Sequence, residues 1–495
     1  MTSEETGETQ SEEVAIETTS SEETSVSYLS KAIEATTQTP EDATKALFKE
    51  LVSQAMEGTV TWDKNVPKTI ENAIAMIDQR LSKQLSAVMQ KKAFQKLEGS
   101  WRGLSKLVKE SDLGPDLKIQ VIDYTKDEFL EQFEDAPAID RSPFFNLVYQ
   151  EEFGTAGGEP FGVFIGDYEF SAKDDDVALM RYMAEVASVC HAPFIAAANA
   201  HMFEYDDYTA FNEGRPIASG FISPSYAAWN AFRESDDARY VALTLPRVMA
   251  RLPYGQNGGK TKAFDFEEIE GGKPANNGQF VWSNASYELG LKMTEAFRFS
   301  GWCTAIRGVN NGGKVENLPN YCYLSDADDE IQQCPSEVNL TDEREKELSD
   351  LGFLPLVHYK STNYGVFIGG QTIQKPKEYT DKDATANAAI SARLPYIMAS
   401  GRIAHYLKVM GRDKLGSNVE ATDIQKELDL WIGQYTNAGA LGDDARAKTP
   451  LKQSKIEVVE QPGKPGSYSA VAYLLPWLQM EELTTSVRMV AKIPG

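Results

Sequence analysis

The stretch with the most chemical promise is Gly255-Gln-Asn-Gly-Gly-Lys260-Thr261. A phosphate-cradling loop needs four residues between its first glycine and Gly-Lys-Thr, so that backbone N–H groups wrap the phosphates. That first glycine would have to stand at 254, where the chain has Tyr254, and Gly255 leaves only three intervening residues. The preceding Leu245–Tyr254 stretch holds two prolines and two arginines, unlike a buried parallel strand. The spacing favours a plain loop, and a nucleotide-using enzyme built on Gly255–Thr261 stays as the alternative. Asp326-Ala-Asp328-Asp329-Glu330 resembles the start of a calcium loop, but Ile331 replaces the glycine at its sixth position and Glu337, at its twelfth, lies near Pro335. Cys190-His191 has no second Cys/His pair at ligand spacing, and His201, His358 and His405 stand alone in unrelated segments. There is no G-x-S-x-G elbow, no H-E-x-x-H and no G-x-G-x-x-G opening a helix. These residues point to no catalytic group, no cofactor and no metal.

The elements that would carry such residues alternate. The clearest helix starts near Pro67, with a stripe of Ile70, Ile74, Ile77, Leu81, Leu85 and Val88 on one face. A second helix carries Phe94, Leu97, Trp101, Leu104, Leu107 and Val108 before Gly114-Pro115, and its large ring at helical spacing makes Trp101 a core anchor. Strands are expected at Leu117–Tyr124, Phe161–Gly166, Pro193–Ala198, Leu354–Tyr359 and Tyr364–Ile368. Helices are expected at Asp176–Cys190, Pro224–Phe232, Trp282–Phe299, Asp342–Leu351 and Ile424–Tyr435, with a long helical region Ala384–Met410 kinked at Pro395. The tail reads as three strands, Ser454–Glu460, Tyr468–Leu475 and Ser486–Ile493, with a Pro/Gly turn at 462–466. The fold class is α/β, a mixed α+β architecture with a disordered acidic N-terminus and a β-rich C-terminal tail.

Composition narrows the function classes. The 495 residues hold 49 Lys+Arg against 74 Asp+Glu, a formal net charge of −25, which argues against a nucleic-acid surface. Residues 1–26 contain eight glutamates and eleven Ser/Thr without one Lys, Arg or aromatic residue, a composition that does not offset the entropy of ordering. Four cysteines form no C-x-x-C pair, so a disulfide framework or zinc ribbon is not expected. No apolar run approaches the ~18–20 residues of a membrane span, and no secretory leader is evident. A soluble cytoplasmic protein follows from these readings, without direct membrane insertion.

What stands out is rigid, aromatic-rich punctuation, and it carries a resemblance. Phe94-Gln-Lys-Leu-Glu-Gly-Ser-Trp-Arg-Gly-Leu104, including Leu97, Glu98, Trp101, Arg102 and Gly103, resembles a signature of the large subunit of the bacterial type VI secretion contractile sheath, the TssC/VipB family. The likeness continues through Gly157–Phe170, His191-Ala-Pro-Phe194, Trp229–Arg239, Leu245-Pro-Arg247, Arg251-Leu-Pro-Tyr-Gly255 and Gly301-Trp-Cys303. Arg307-Gly-Val309, Leu351–Leu356, Ala384–Ala388, Arg393-Leu-Pro-Tyr396 and His405-Tyr-Leu-Lys408 extend it, so that it covers roughly residues 62–495. Three departures are Pro335-Ser-Glu337 for the usual Pro-Thr-Glu, Leu474-Leu-Pro-Trp-Leu-Gln479 for Leu-Arg-Pro-His-Phe-Gln, and the acidic head.

The resemblance implies a structural, non-enzymatic protein. It would pair with a small sheath subunit (TssB/VipA-like), self-associate into a helical sheath on a baseplate around an Hcp-like inner tube, and contract. An AAA+ recycling unfoldase of the ClpV type would act mainly through the small subunit. Four segments are expected: 1–26 disordered, 27–61 a helical arm, 62–375 an N-terminal sheath domain and 376–495 a C-terminal sheath domain. The mixed-charge helix at Asp342, Glu343 and Arg344 is a candidate for facing the tube, with a solvated helix face as the alternative. Ser454, Val458, Tyr468, Val471, Val487, Met489 and Val490 mark candidate inter-subunit strands, the alternative being pairing within the chain's own sheet.

Overall fold

The computed structural model describes Lys49 and residues 66–212, 216–414, 419–439, 442–460 and 468–477. The acidic head, the arm apart from Lys49, the Pro/Gly turn at 462–466 and the last strand with Val487, Met489 and Val490 lie outside the described residues. The chain divides into two compact units, Met1–Met89 with Tyr254–Gly272, and Gln90–Pro253 with Lys273–Gly495.

In the first unit, helix α1 (Val66–Met89) carries the expected apolar stripe, but the stripe does not face a core. Ile74, Ile77, Leu81, Leu85 and Val88 are exposed, while Thr69, Ala73, Ser82, Ser86 and Met89 are buried. The small residues permit close approach: Ser86 Oγ donates to the Glu268 carbonyl at 3.0 Å, and Glu267 N–H donates to Ser82 Oγ at 3.2 Å. Hydrogen bonding by the serine face thus selects the buried side over hydrophobicity.

The second unit is built on a six-stranded sheet. Strands β1 (Phe164–Phe170), β2 (Phe194–Ala198) and β3 (Val241–Leu245) run parallel, and β9 (Leu354–His358) joins β3 in parallel. Then β10 (Gly365–Phe367) and β6 (Lys314–Val315) follow antiparallel, giving the order β1-β2-β3-β9-β10-β6. The central strands are continuous short apolar runs because both faces are covered, the usual reason that parallel strands lose alternation. One core lies among α4 (Asp174–Cys190), β2, β3, α5 (Ala227–Arg233) and the aromatic turns, with Phe170, Met180, Phe194, Trp229 and Phe353 inside it. On another side, α6 (Ala285–Ser300) packs with Ile195, Ala242, Leu354, Leu356 and Phe367.

Several expectations shift. Leu117–Tyr124 forms no strand, although its Leu/Ile/Val alternation is strand-like: only an isolated bridge, Gly114 to Leu117, forms there. The expected helix at Trp282 starts at Ala285, because Asn284 caps it and Trp282–Ser283 (β5) pairs with β4 (Val248–Met249). The region expected to kink at Pro395 is two helices, α8 (Lys382–Ser391) and α9 (Leu394–Asp413), with the proline in the first turn of α9 where its missing N–H costs nothing. Between β6 and β9 lie β7 (Cys322–Leu324), β8 (Glu330–Gln332) and α7 (Asp342–Asp350). After α10 (Ala421–Gly433) and α11 (Asp443–Lys448), β11 (Leu451–Glu460) and β12 (Tyr468–Pro476) make an antiparallel hairpin. Earlier in the chain lie α2 (Lys92–Glu110) and α3 (Lys126–Glu134). No described helix is long and apolar enough to cross a membrane.

Candidate assembly interface

The glycine-rich loop is committed to itself. Gly255 N–H donates to the Gly259 carbonyl (3.0 Å), Gly258 N–H to Gly255 (3.2 Å), and Gln256 N–H to the Glu267 carboxylate (3.2 Å). Tyr254 N–H is taken by Glu268 Oε2 at 2.9 Å, and Thr261 Oγ1 donates to the Phe264 carbonyl at 2.6 Å. Carboxylates thus take the Tyr254 and Gln256 amides, and a Cβ at Gly255 would run into that same Glu267 side chain. Among the described residues no group of three His, Cys, Asp or Glu could hold a metal ion.

The punctuation motifs instead meet one another as joints. Arg251 reaches across 153 residues to Glu98, with Nε to Oε1 at 2.6 Å and Nη2 to Oε2 at 3.1 Å, and Arg102 Nε meets the same Oε1 at 2.7 Å. Burial opposes the charge on Glu98, but the hydrogen bonds and charges of Arg251 and Arg102 together outweigh it and hold the carboxyl below its ordinary value. Arg247 grips Glu337 with two bonds (2.8 and 2.7 Å), joining the Leu-Pro-Arg and Pro-Ser-Glu motifs. His405 on α9 contacts the Cys190 carbonyl at 2.7 Å, which ties His405-Tyr-Leu-Lys408 to the His191-Ala-Pro-Phe194 corner. Burial pushes the Cys190 thiol up to about 12 and both imidazoles down, so all three groups stay neutral at pH 7.

Helix α2 corrects an expectation. Trp101 is not a core anchor: it is 64% exposed, Leu97 is 56% exposed, and Phe94 and Val108 are exposed beside them. The buried face is Gly99, Gly103 and Leu107. A Cβ at Gly99 would overlap the Trp282 carbonyl oxygen, and one at Gly103 would overlap Ser283 Oγ and the Tyr287 ring. Two glycines one helical turn apart therefore let backbone lie on backbone, while Glu98 locks the helix to Arg251. The signature holds α2 by its small face and leaves its large apolar side chains outward. The i, i+4 glycine pair in the sequence was the available signal for this orientation.

The trio on α7 divides. Asp342 and Glu343 are exposed, whereas Arg344 turns inward, donating to the Phe211 carbonyl at 3.1 Å and to Glu347 at 2.6 Å. Arg344 therefore braces the fold and is withdrawn as a tube-facing candidate.

At the C-terminal end the hairpin has unequal edges. On β11, Ile456 N–H donates to Asp429 (3.1 Å) and Val458 N–H to Gln425 (3.3 Å), both side chains of α10. The Leu451 N–H goes to the Tyr435 carbonyl and its carbonyl accepts from Asn437, so this edge is closed. Ser454 Oγ pairs with Thr436 Oγ1 at 2.7 Å on the same side. Groups of Ile456 and Val458 that point away from β12 imply that their partners Ala472 and Ala470 point away from β11. Among the described residues no hydrogen bond from the backbone of Ala470, Ala472 or Leu474 leaves that far edge. Ala472–Pro476 border a cleft of about 790 Å³ whose other wall includes Arg239, Lys377, Tyr379, Ile390 and Tyr396. Val459, Tyr468, Val471, Tyr473 and Leu475 are exposed apolar side chains of the hairpin.

Exposed apolar helix faces, an open strand edge and motifs consumed in joints describe an assembly subunit, and the comparisons agree. Residues 71–374 match the family described as EvpB/VC_A0108 tail sheath N-terminal domain (VipB), and residues 383–493 match its tail sheath gpW/gp25-like domain. The chain is 39% identical over 499 residues to the type VI secretion system sheath protein TssC1 of Pseudomonas aeruginosa, covering 99% of each. Lower likenesses extend to the baseplate of the anti-feeding prophage (11% identity, 79% of this chain and 87% of that one, TM-score 0.39). The sheath complex of an extracellular contractile injection system in its contracted state is similar at 9% identity, 63% and 68% coverage and TM-score 0.33. The chain is a tail sheath protein. It belongs to the VipB family of type VI secretion sheath proteins.

Proposed function

We propose that this chain is the large structural subunit of a cytoplasmic type VI contractile sheath. It pairs with a small sheath subunit, and the heterodimers stack around an inner tube that contraction propels. The observation that carries the reading is the one-sided hairpin: β11 is sealed by α10, while among the described residues nothing pairs with the far edge of β12, which lies beside a cleft. Such an edge accepts a strand from another chain. An exchanged strand tethers neighbours while domains rotate as rigid bodies, which suits a lattice that contracts without falling apart. The expected last strand Ser486–Ile493 is the candidate donor. An N-terminal sheath domain to 375 and a C-terminal one from 376 are part of this reading, supported by two separate family matches, and the charged tip Asp342–Glu343 is a candidate for touching the tube. A structural role without enzymatic activity is supported by the failed glycine spacing of Gly255–Thr261 and by the carboxylates that hold the Tyr254 and Gln256 amides. An inner tube, a baseplate and an AAA+ recycling unfoldase complete the partner set on the strength of family membership. Co-expression with the small subunit tests the proposal: negative-stain micrographs are expected to contain long tubules, and discrete particles that bind ATP would favour the enzyme alternative.

A further inference from the structure

Helix α2 sets a basic, apolar face on an acidic protein. Residues 91–110 contain Lys91, Lys92, Lys96, Arg102, Lys106 and Lys109 against Glu98 and Glu110, a local excess of positive charge in a chain of net charge −25. Part of that charge is used internally, Arg102 on Glu98 and Lys106 on Glu288 (2.7 Å). Lys91 and Lys109 are exposed, and at 100° per residue both fall on one side of the seam Phe94, Leu97, Trp101 and Val108, whereas Lys96 falls on the glycine side. The seam follows 3-4-7 spacing, so it fits the i/i+3/i+4/i+7 anchors of a second helix. Anchoring by Gly99, Gly103 and the Glu98–Arg251 pair fixes the seam without using any of its large side chains.

We infer that the exposed face of α2 docks an amphipathic α-helix with an acidic flank, supplied by another sheath chain, with Trp101 as its central anchor. Charge complementarity selects this occupant over a second copy of α2, whose lysines would repel those of the first. Tryptophan is also among the residues enriched at interface hot spots, where a large ring enters a pocket of the partner. The identity of the donor rests on the sheath reading, whereas the chemistry of the face does not.

The experiment places a photocrosslinking amino acid at Leu97 or Trp101 in the full chain co-expressed with the small subunit, and maps the crosslinked peptides by mass spectrometry. Crosslinks to a helix with an apolar seam and Asp/Glu along one flank in a partner chain are expected. Crosslinks to this chain's own acidic head, to α2 of a second copy, or to no peptide at all would overturn the inference. In parallel, Trp101→Asp is expected to cut partner recovered at 150 mM salt at least tenfold without moving the melting temperature, with Trp101→Phe retaining most of it. The double reversal Lys91→Glu/Lys109→Glu is expected to cut recovery about fivefold at low salt and less at high salt. Unchanged recovery for Trp101→Asp overturns the docking. Tubules formed by wild-type protein with no such crosslinks would leave the sheath reading standing and remove only this face, so the two failures are distinguishable.

Discussion

If α2 is held by its glycines rather than by its tryptophan, enlarging Gly99 should damage the fold while shrinking Trp101 should not. The Gly99 position lies directly on the Trp282 carbonyl, so a leucine there cannot enter without lifting the helix. Lifting α2 separates Glu98 from Arg251, which is itself buried. Overpacking alone costs about 1–3 kcal/mol, and stranding a buried ion about 3–5 kcal/mol more in the worst case. The roughly 1 kcal/mol that a helix gains on losing glycine does not offset this. Trp101→Ala, by contrast, removes a mostly exposed ring and should stay within about 0.5 kcal/mol of wild type, against the ~3–5 kcal/mol of a core tryptophan. The assay is the urea midpoint followed by circular dichroism, with the soluble fraction as a second readout. Gly99→Leu is expected to lower the midpoint sharply or abolish soluble protein, with Trp101→Ala superimposing on wild type. A Trp101→Ala midpoint as low as that of Gly99→Leu would refute the orientation derived for this helix.

Ala472→Pro deletes an N–H that points away from β11, so the hairpin and its melting temperature should survive while tubules disappear; normal tubules would remove the edge from the assembly. Glu98→Gln leaves Arg251 without its carboxylate and should cost about 2–3 kcal/mol at pH 7, less than a fully buried pair because Glu98 is partly solvated. Because the native Glu98 carboxyl lies below its ordinary value, its contribution is complete above the unfolded value near 4.5 and is lost as pH falls through the native one. Acid titration of wild type should therefore show a stability slope below that point which the glutamine variant lacks. Lys260→Ala is expected to leave assembly and secretion intact, and calorimetry should find no ATP binding to either protein; micromolar binding abolished by the substitution would contradict the loop geometry.

Much of this fold is legible in local signals. Helix α7 follows Thr341, whose hydroxyl caps it, and the β9–β10 pair is two apolar runs around a turn. The α4 helix begins at Asp174, with three aspartates in its first turn, where the helix dipole favours them. By contrast β3, the central strand, was not among the expected elements, although Val-Ala-Leu-Thr-Leu is a buried-strand run of the kind seen in β2. The apolar stripes of α1 and α2 were visible, but the direction they face was not. Hydrophobic periodicity identifies a face without saying whether the chain itself or a partner covers it, and here serines and glycines made the intramolecular contact. The unequal hairpin edges depend on which N–H groups α10 reaches, a register that no pattern in residues 454–475 encodes. The joints Arg251–Glu98 and Arg247–Glu337 span 153 and 90 residues, beyond any local rule.

The most direct test is a helical reconstruction of tubules assembled from this chain and its small subunit. The account predicts a contracted or extended helical lattice in which a strand from a neighbouring chain runs along Ala470–Leu474, with β11 still closed by Gln425 and Asp429. A lattice in which the β12 edge faces solvent, or a preparation holding only discrete particles, would contradict it.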